Sequence, residues 1–315
     1  MSMGNSWGIV STIKAPTAEI EAFCAHHLEL GAQRLYIYLD DDNRTAFDSL
    51  SAHPKIRPVL CDDAYWQARG RRPGKHQVRQ VDNAAHAYAL PPDVDWLAHI
   101  DVDELIWPAA PLPDLLAALP DDCLVARMRP SEALASPAPG LLTHFKRFTL
   151  ERATRDRQTL RVYPTFGEHL NGGFLSHVQG KLIYRTGIPG LDARIHNVIL
   201  NGEQNPGQQE LTGVELLHLH AKSWEDFARA FRFRLNRGSY RSELRAASPG
   251  GASMHQLFST LLDESGEAGL RVFYEEVCTA TPALLDRLHQ EGLLSSYPLD
   301  LARKRKDHFP DSQKG

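Results

Sequence analysis

The sequence is poor in cysteine. The four it has in 315 residues, Cys24, Cys61, Cys123 and Cys278, are far apart with no CxxC pair, which excludes a disulfide-stapled scaffold and close-spaced thiolate zinc sites. Each lies in an apolar stretch, as reduced structural thiols do. Long hydrophobic runs are missing too: no window approaches the roughly 20 apolar residues of a membrane helix, and MSMGNSWGIVSTIK has no signal-peptide core. The expectation is a soluble, unprocessed, cytoplasmic protein. Positive charge is not in excess, since 35 Lys and Arg against 39 Asp and Glu give a net charge of -4, so no global field draws in nucleic acid. What is present, 42% hydrophobic and 23% charged residues, excludes disorder along the whole chain. At this length one large domain with an appended part is expected.

The β-branched run Gly8–Ile13 is stopped by Pro16 and leads into a helix from Thr17. Ile20, Phe23, Cys24, His27 and Leu28 recur at spacings of three and four, and Gly31 is placed to end the helix. Strands follow at 34–39, 56–60 and 96–100, with a helix over about 75–90 between the last two. That alternation predicts an α/β fold with a mainly parallel sheet covered by helices. Past Pro108 the pattern reads as mixed sheet and loops, with strands at 123–128, 143–150, 181–185 and 214–220. From Ser223 it turns helical: Ser223-x-x-Asp226 reads as a capping box, Trp224, Phe227, Phe231 and Leu235 form a stripe, and Gly238 fits its end. The division expected is 1–222 for the sheet domain and 223–315 for a helical extension, with 303–315 a frayed end.

The sharpest chemical feature is Trp96-Leu-Ala-His-Ile-Asp101-Val-Asp103-Glu104-Leu-Ile-Trp-Pro108. On an extended backbone Asp101 and Asp103 point the same way, beyond the carboxyl end of a strand, where open α/β sheets bind ligands. Two hard oxygen ligands there suit Mg²⁺ or Mn²⁺ carrying a diphosphate. The spacing alone is common, since Asp40-Asp41-Asp42 and Asp93-Val-Asp95 share it.

WLAHIDVDELIWP together with FCAHHLELGAQRLYIYLDDDN resembles the glycosyltransferase family 2-like group, related to glycosyltransferase family 92. The resemblance is close over about 8–110 and loose over 170–240. It implies a GT-A-like, Rossmann-like fold, a nucleotide-sugar donor, a glycan or other hydroxyl acceptor, polysaccharide biosynthesis as the setting, and inversion at the anomeric carbon. It also implies Mn²⁺ or Mg²⁺ bridging the donor diphosphate to Asp101 and Asp103, with a histidine from Val214-Glu-Leu-Leu-His218-Leu-His220-Ala-Lys222-Ser223. His220 is taken as the ligand; His218 shares its strand face and is the alternative. Thr12, Asp40 and Asp41 would meet the nucleoside, and Gln80 and Asn83 the donor, unless these two lie on an exposed helix face. Lys181 and Lys222 would hold phosphate oxygens; solvated lysines are the alternative. Glu104 is a salt bridge, a loop cap or a support for the metal site.

Asp192, in the turn-forming loop GIPGLDARIH, is the general base expected, with Glu132, Glu168 and Glu210 as rivals. Arg69, Arg71, Arg72, Lys75, His76 and Arg79 form either a phosphate-binding loop or a solvated one. Arg229, Arg232, Arg234, Arg237 and Arg241 form a wet helix face or a peripheral membrane contact. A sugar nucleotidyltransferase would carry a glycine-rich loop after its first strand, which STIKAPTAE lacks. A degenerate member that binds nucleotide sugar or glycan without turnover is the other alternative.

Overall fold

A computed structural model describes residues 5–136, 140–237, 240 and 253–310. They form two compact units, the first drawn from 1–129, 179–216 and 300–315, the second from 130–178 and 217–299.

The first unit begins as strands alternating with helices: β1 (Trp7–Ile13), α1 (Thr17–Glu29), β2 (Arg34–Leu39), α2 (Arg44–Ser51), β3 (Ile56–Leu60), α3 (Asp63–Gln67), α4 (His76–Ala89) and β4 (Trp96–His99). β5 (Glu104–Pro108), α5 (Leu112–Ala117) and β6 (Val125–Ala133) follow, the last running on into the second unit. β1 is fully buried, its Ser11 and Thr12 included, and α1 stops where Gly31 takes φ 94°, a conformation open to glycine. Helical crossovers force parallel pairing, so β3, β2, β1 and β4 lie in that order, all parallel. Beyond β4 the direction reverses: the strand Lys181–Arg185 is antiparallel to both β4 and β6. The sheet is therefore α/β but mixed, not mainly parallel. The reversal falls where the strand–helix alternation of the sequence ends. β5 pairs with Gln208–His218. Val10, Tyr36, Tyr38, Leu97, Leu182 and Tyr184 are among the buried residues of one core face.

In the second unit the end of β6, Thr143–Lys146 and Leu294–Tyr297 pair antiparallel. Helices Arg152–Val162, Trp224–Arg237, Met254–Cys278 and Pro282–Gln290 accompany them. Phe231, Phe258 and Phe273 pack edge to face in the core, with centroids 5.0 and 4.9 Å apart. Ser223 Oγ accepts the Asp226 N–H at 3.1 Å, the cap its spacing predicts. Gly238 and Arg241, read as a helix end and part of a basic face, lie outside the described residues.

The boundary expected at 222 differs from this division. Residues 130–178 group with the helices of 217–299, and the frayed tail is instead partly a helix, Leu301–His308, packed on α1 in the first unit. Composition misleads there, because LARKRKDH has few apolar residues. Its Arg303, Lys304 and Arg305 find acidic partners in Glu29 and Glu21 of α1.

Candidate functional site

β4 ends at His99, and the chain turns at once: the Glu104 N–H donates to Asp101 O at 3.0 Å. Asp101 and Asp103 therefore sit on a turn rather than on a continued strand. The turn also brings Glu104 back to Asp101, whose N–H it accepts at 2.8 Å, so that it caps the loop. Asp101 Oδ2 accepts from Lys181 Nζ at 2.6 Å, and its Oδ1 accepts from the Gln80 amide. Lys181 is itself buried, 3.3 Å from Glu104. Burial would push the Asp101 carboxyl up, but the Lys181 ammonium outweighs it and holds the group below the ordinary carboxylate range. Burial alone would lower Lys181, and the two carboxylates raise it instead. Lys181 is thus the counter-ion of two carboxylates rather than a solvated lysine.

Gln80 and Asn83 lie on the buried face of α4. Asn83 donates to Thr12 Oγ1 at 3.0 Å and accepts from Tyr65 Oη at 2.6 Å. These contacts tie α3 and α4 to the end of β1.

Asp40, straight after β2, is buried and ringed by cations: Arg79 Nη2 at 2.6 Å, Arg72 Nη2 at 3.0 Å and His76 Nδ1 at 3.3 Å. Burial raises its carboxyl, yet the His76 and Arg79 hydrogen bonds and the guanidinium charges bring it down to about 2. Half the basic cluster therefore serves Asp40, and Arg69 lies over the Tyr65 ring at 3.7 Å. The cluster on Asp40 could not be seen in the sequence, where acid and bases stand some 32 to 39 residues apart. Next to Asp40, Asp41 Oδ1 is buried with no hydrogen-bond partner among the described residues.

Asp192 is 42% exposed and paired with Arg194. Its rival Glu210 is paired with Arg129 at 2.5 Å. A cleft of about 300 Å³ bordered by Ser6, Asp93, Asp95, Arg185 and Thr186 lies at the start of β4, whereas Asp101 follows its end.

In the second unit, Glu132 is buried 3.1 Å from Lys146 and accepts the Leu175 and Ser176 N–H groups at 3.1 and 2.9 Å. Burial pushes its carboxyl up; Lys146, His220 and His218 override this and hold it far down. A carboxylate so committed is an anchor, not a base for an acceptor. The His218 and His220 rings meet at 4.9 Å. Lys222 is exposed, as is Glu168. Arg229 pairs with Asp226, and Arg234 donates to His220 O at 3.4 Å.

Asp101 and Asp103 thus belong to one unit and His220 to the other. Among the described residues no group of three or more His, Cys, Asp and Glu side chains is arranged to hold a metal ion. The acidic turn fits a dication in a narrower way: hard cations such as Mg²⁺ take one or two protein carboxylates and fill the rest from phosphate and water. Asp101 and Asp103 are the carboxylates of that turn, and each Asp101 oxygen accepts one hydrogen bond, from Lys181 or from Gln80.

No family model matches the chain, and neither does any curated protein sequence. Among solved structures, a galactosyltransferase, LgtC, in complex with donor and acceptor sugar analogs shares 14% identity over 56% of this chain and 57% of that one, with a TM-score of 0.26. HddC from Yersinia pseudotuberculosis shares 10% identity over 72% of this chain and 98% of that one, with a TM-score of 0.30. The chain thus spans little more than half the length of the galactosyltransferase, and both likenesses are too distant to assign an activity.

Proposed function

We propose that the protein is a glycosyltransferase of GT-A-like fold that moves a sugar from a nucleotide-sugar donor to a hydroxyl acceptor. The observation that carries this reading is the acidic turn at the carboxyl end of β4, beside β1, with Asp101 fixed by Lys181 and Gln80. Open α/β sheets bind ligands at that edge. Asp41, with its unpartnered buried oxygen, supports the reading, since a ribose hydroxyl or base N–H would satisfy it. Asp40 is already saturated and does not contact the nucleoside; it holds Arg72 and Arg79 in place.

Asp103, with Asp101 beside it, would hold Mn²⁺ or Mg²⁺, with donor phosphate and water filling the rest of the shell. The ion would supply charge stabilisation to the departing diphosphate. Thr12 and Asn83 fix the end of β1 against α4, and Gln80 with Lys181 orients Asp101 toward the donor. Asp192, half-exposed, takes the proton from the acceptor hydroxyl, and a single displacement inverts the anomeric configuration.

A binder without turnover is the second reading, favoured by the internal saturation of Asp40. Nucleotide release from UDP-sugars and GDP-sugars separates the two. With Mn²⁺ present, slow release of UDP or GDP is expected, and its loss in Asp103→Asn. Donor binding without release in any combination would favour the binder, and no binding at all would remove both readings.

A further inference from the structure

Ile106, in the middle of β5, has both backbone groups engaged by neighbouring histidines of α1. His27 Nε2 accepts the Ile106 N–H at 3.2 Å, and His26 Nε2 donates to the Ile106 carbonyl at 2.9 Å. A carbonyl only accepts and an N–H only donates, so the two rings are opposite neutral tautomers. His27 carries its proton on Nδ1, where it meets Phe23 O at 2.8 Å. His26 carries its own on Nε2, which leaves Nδ1 as an acceptor. Lys304 Nζ, from the helix Leu301–His308, donates to that nitrogen at 3.2 Å. Both rings are fully buried, and burial disfavours their protonated forms.

β5 is only five residues long and pairs with Gln208–His218. A short strand of this kind frays unless its remaining backbone groups find partners. The two imidazoles provide them. Ile106 is two residues past Glu104 and shares its strand face, and Glu104 in turn accepts the Asp101 N–H and lies beside Lys181.

We propose that His26, His27 and Lys304 are positioning residues for the acidic turn. The last helix fixes the tautomer of His26, the histidine pair clips β5, and β5 holds Glu104 under Asp101. The effect on catalysis rests on reading that turn as the donor site; the mechanical coupling does not.

Hydrogen exchange of the full chain, read by mass spectrometry, tests the coupling. Lys304→Met should speed exchange in peptides covering 100–108 by about 10-fold, the scale of one lost hydrogen bond, with the β2 and β3 peptides unchanged. Lys304→Arg, which keeps a cationic donor, should restore most of the protection. Unchanged exchange at 100–108, or an equal rise across the first unit, would overturn the proposal. Imidazole ¹⁵N shifts of the unmodified protein give a check that no folding defect can obscure, since His26 and His27 must show opposite tautomers, and matching ones would end the idea. In donor hydrolysis, Lys304→Met should lower kcat more than it raises KM. Altered exchange with no donor hydrolysis even in the unmodified protein would support the clip while counting against the donor-site reading.

Discussion

Lys181 is buried against two carboxylates, so its removal strands charge that water reaches poorly. Lys181→Met is expected to destabilise the protein by about 3–5 kcal/mol, the usual loss when one partner of a buried pair goes. Urea unfolding at neutral pH measures it, and a loss below about 1 kcal/mol would mean that solvent already screens the group. Asp40 gives the matching acid prediction. Its carboxyl is held near 2 in the fold and returns to about 3.9 in the unfolded chain, so its contribution is whole above roughly pH 5 and lost as pH falls from 4 toward 2. That contribution is roughly 2.5 kcal/mol, and Asp40→Asn should flatten the decline of unfolding free energy over that interval. Asp101 stands out in the sequence by type and spacing, whereas Lys181, Gln80 and Asn83 are reached through the resemblance to glycosyltransferases. Their partners are not legible there, because Lys181 lies 80 residues from Asp101, and only the fold can say that it meets a carboxylate rather than a diphosphate.

α1 and β5 are joined by side-chain-to-backbone bonds that acid should undo. Burial, aided by the Lys304 ammonium and opposed by the Ile106 carbonyl, brings His26 down to about 4, and burial with the neighbouring His26 ring holds His27 well below its ordinary value. Below about pH 6.5 the unfolded chain therefore takes up protons that the fold refuses. Stability from these rings is whole above that pH and declines toward pH 4, by roughly 3 kcal/mol for His26. Urea midpoints taken between pH 7.5 and 4.5 should fall steeply, and less steeply in His26→Gln; parallel curves would place the acid sensitivity elsewhere. The helix Met254–Cys278 carries a second element-scale prediction. Gly266 bends it at φ 59° and ψ -141°, a conformation nearly closed to other residues, with nothing within 4 Å of a side-chain carbon placed there. Gly266→Ala should therefore lose about 1–3 kcal/mol through the backbone alone, read as a lower thermal midpoint. Elements with strong periodicity, such as α1, and apolar runs such as β2 could be read from the sequence. The helix Arg152–Val162 could not, since RATRDRQTLRV offers only Thr159 and Val162 as buried residues and has no apolar stripe.

For the molecule as a whole, the strand–helix alternation of the first hundred residues disclosed the α/β class. The two-unit division stayed hidden because the segment 130–178, which belongs with the later helices, separates strands that pair with one another in the first unit. Among the described residues no helix is long and apolar enough to cross a membrane. Ligand linkage acts on the whole fold, and so allows the donor site to be tested without knowing the acceptor. A ligand bound only by the folded protein adds about 2.7 kcal/mol at a hundred times its dissociation constant, enough to raise a thermal midpoint by a few degrees. UDP or GDP with Mn²⁺ should produce such a rise, and EDTA should abolish it if the ion joins the diphosphate to Asp103. Asp103→Asn should lose the metal-dependent part, whereas Asp95→Asn, at the cleft beside the start of β4, should keep it. A shift that survives EDTA would remove the metal from the proposal and leave Lys181 as the fixed cation of the turn. A shift lost in Asp95→Asn but kept in Asp103→Asn would move nucleotide binding to the opposite end of the sheet, and with it the reading of the acidic turn.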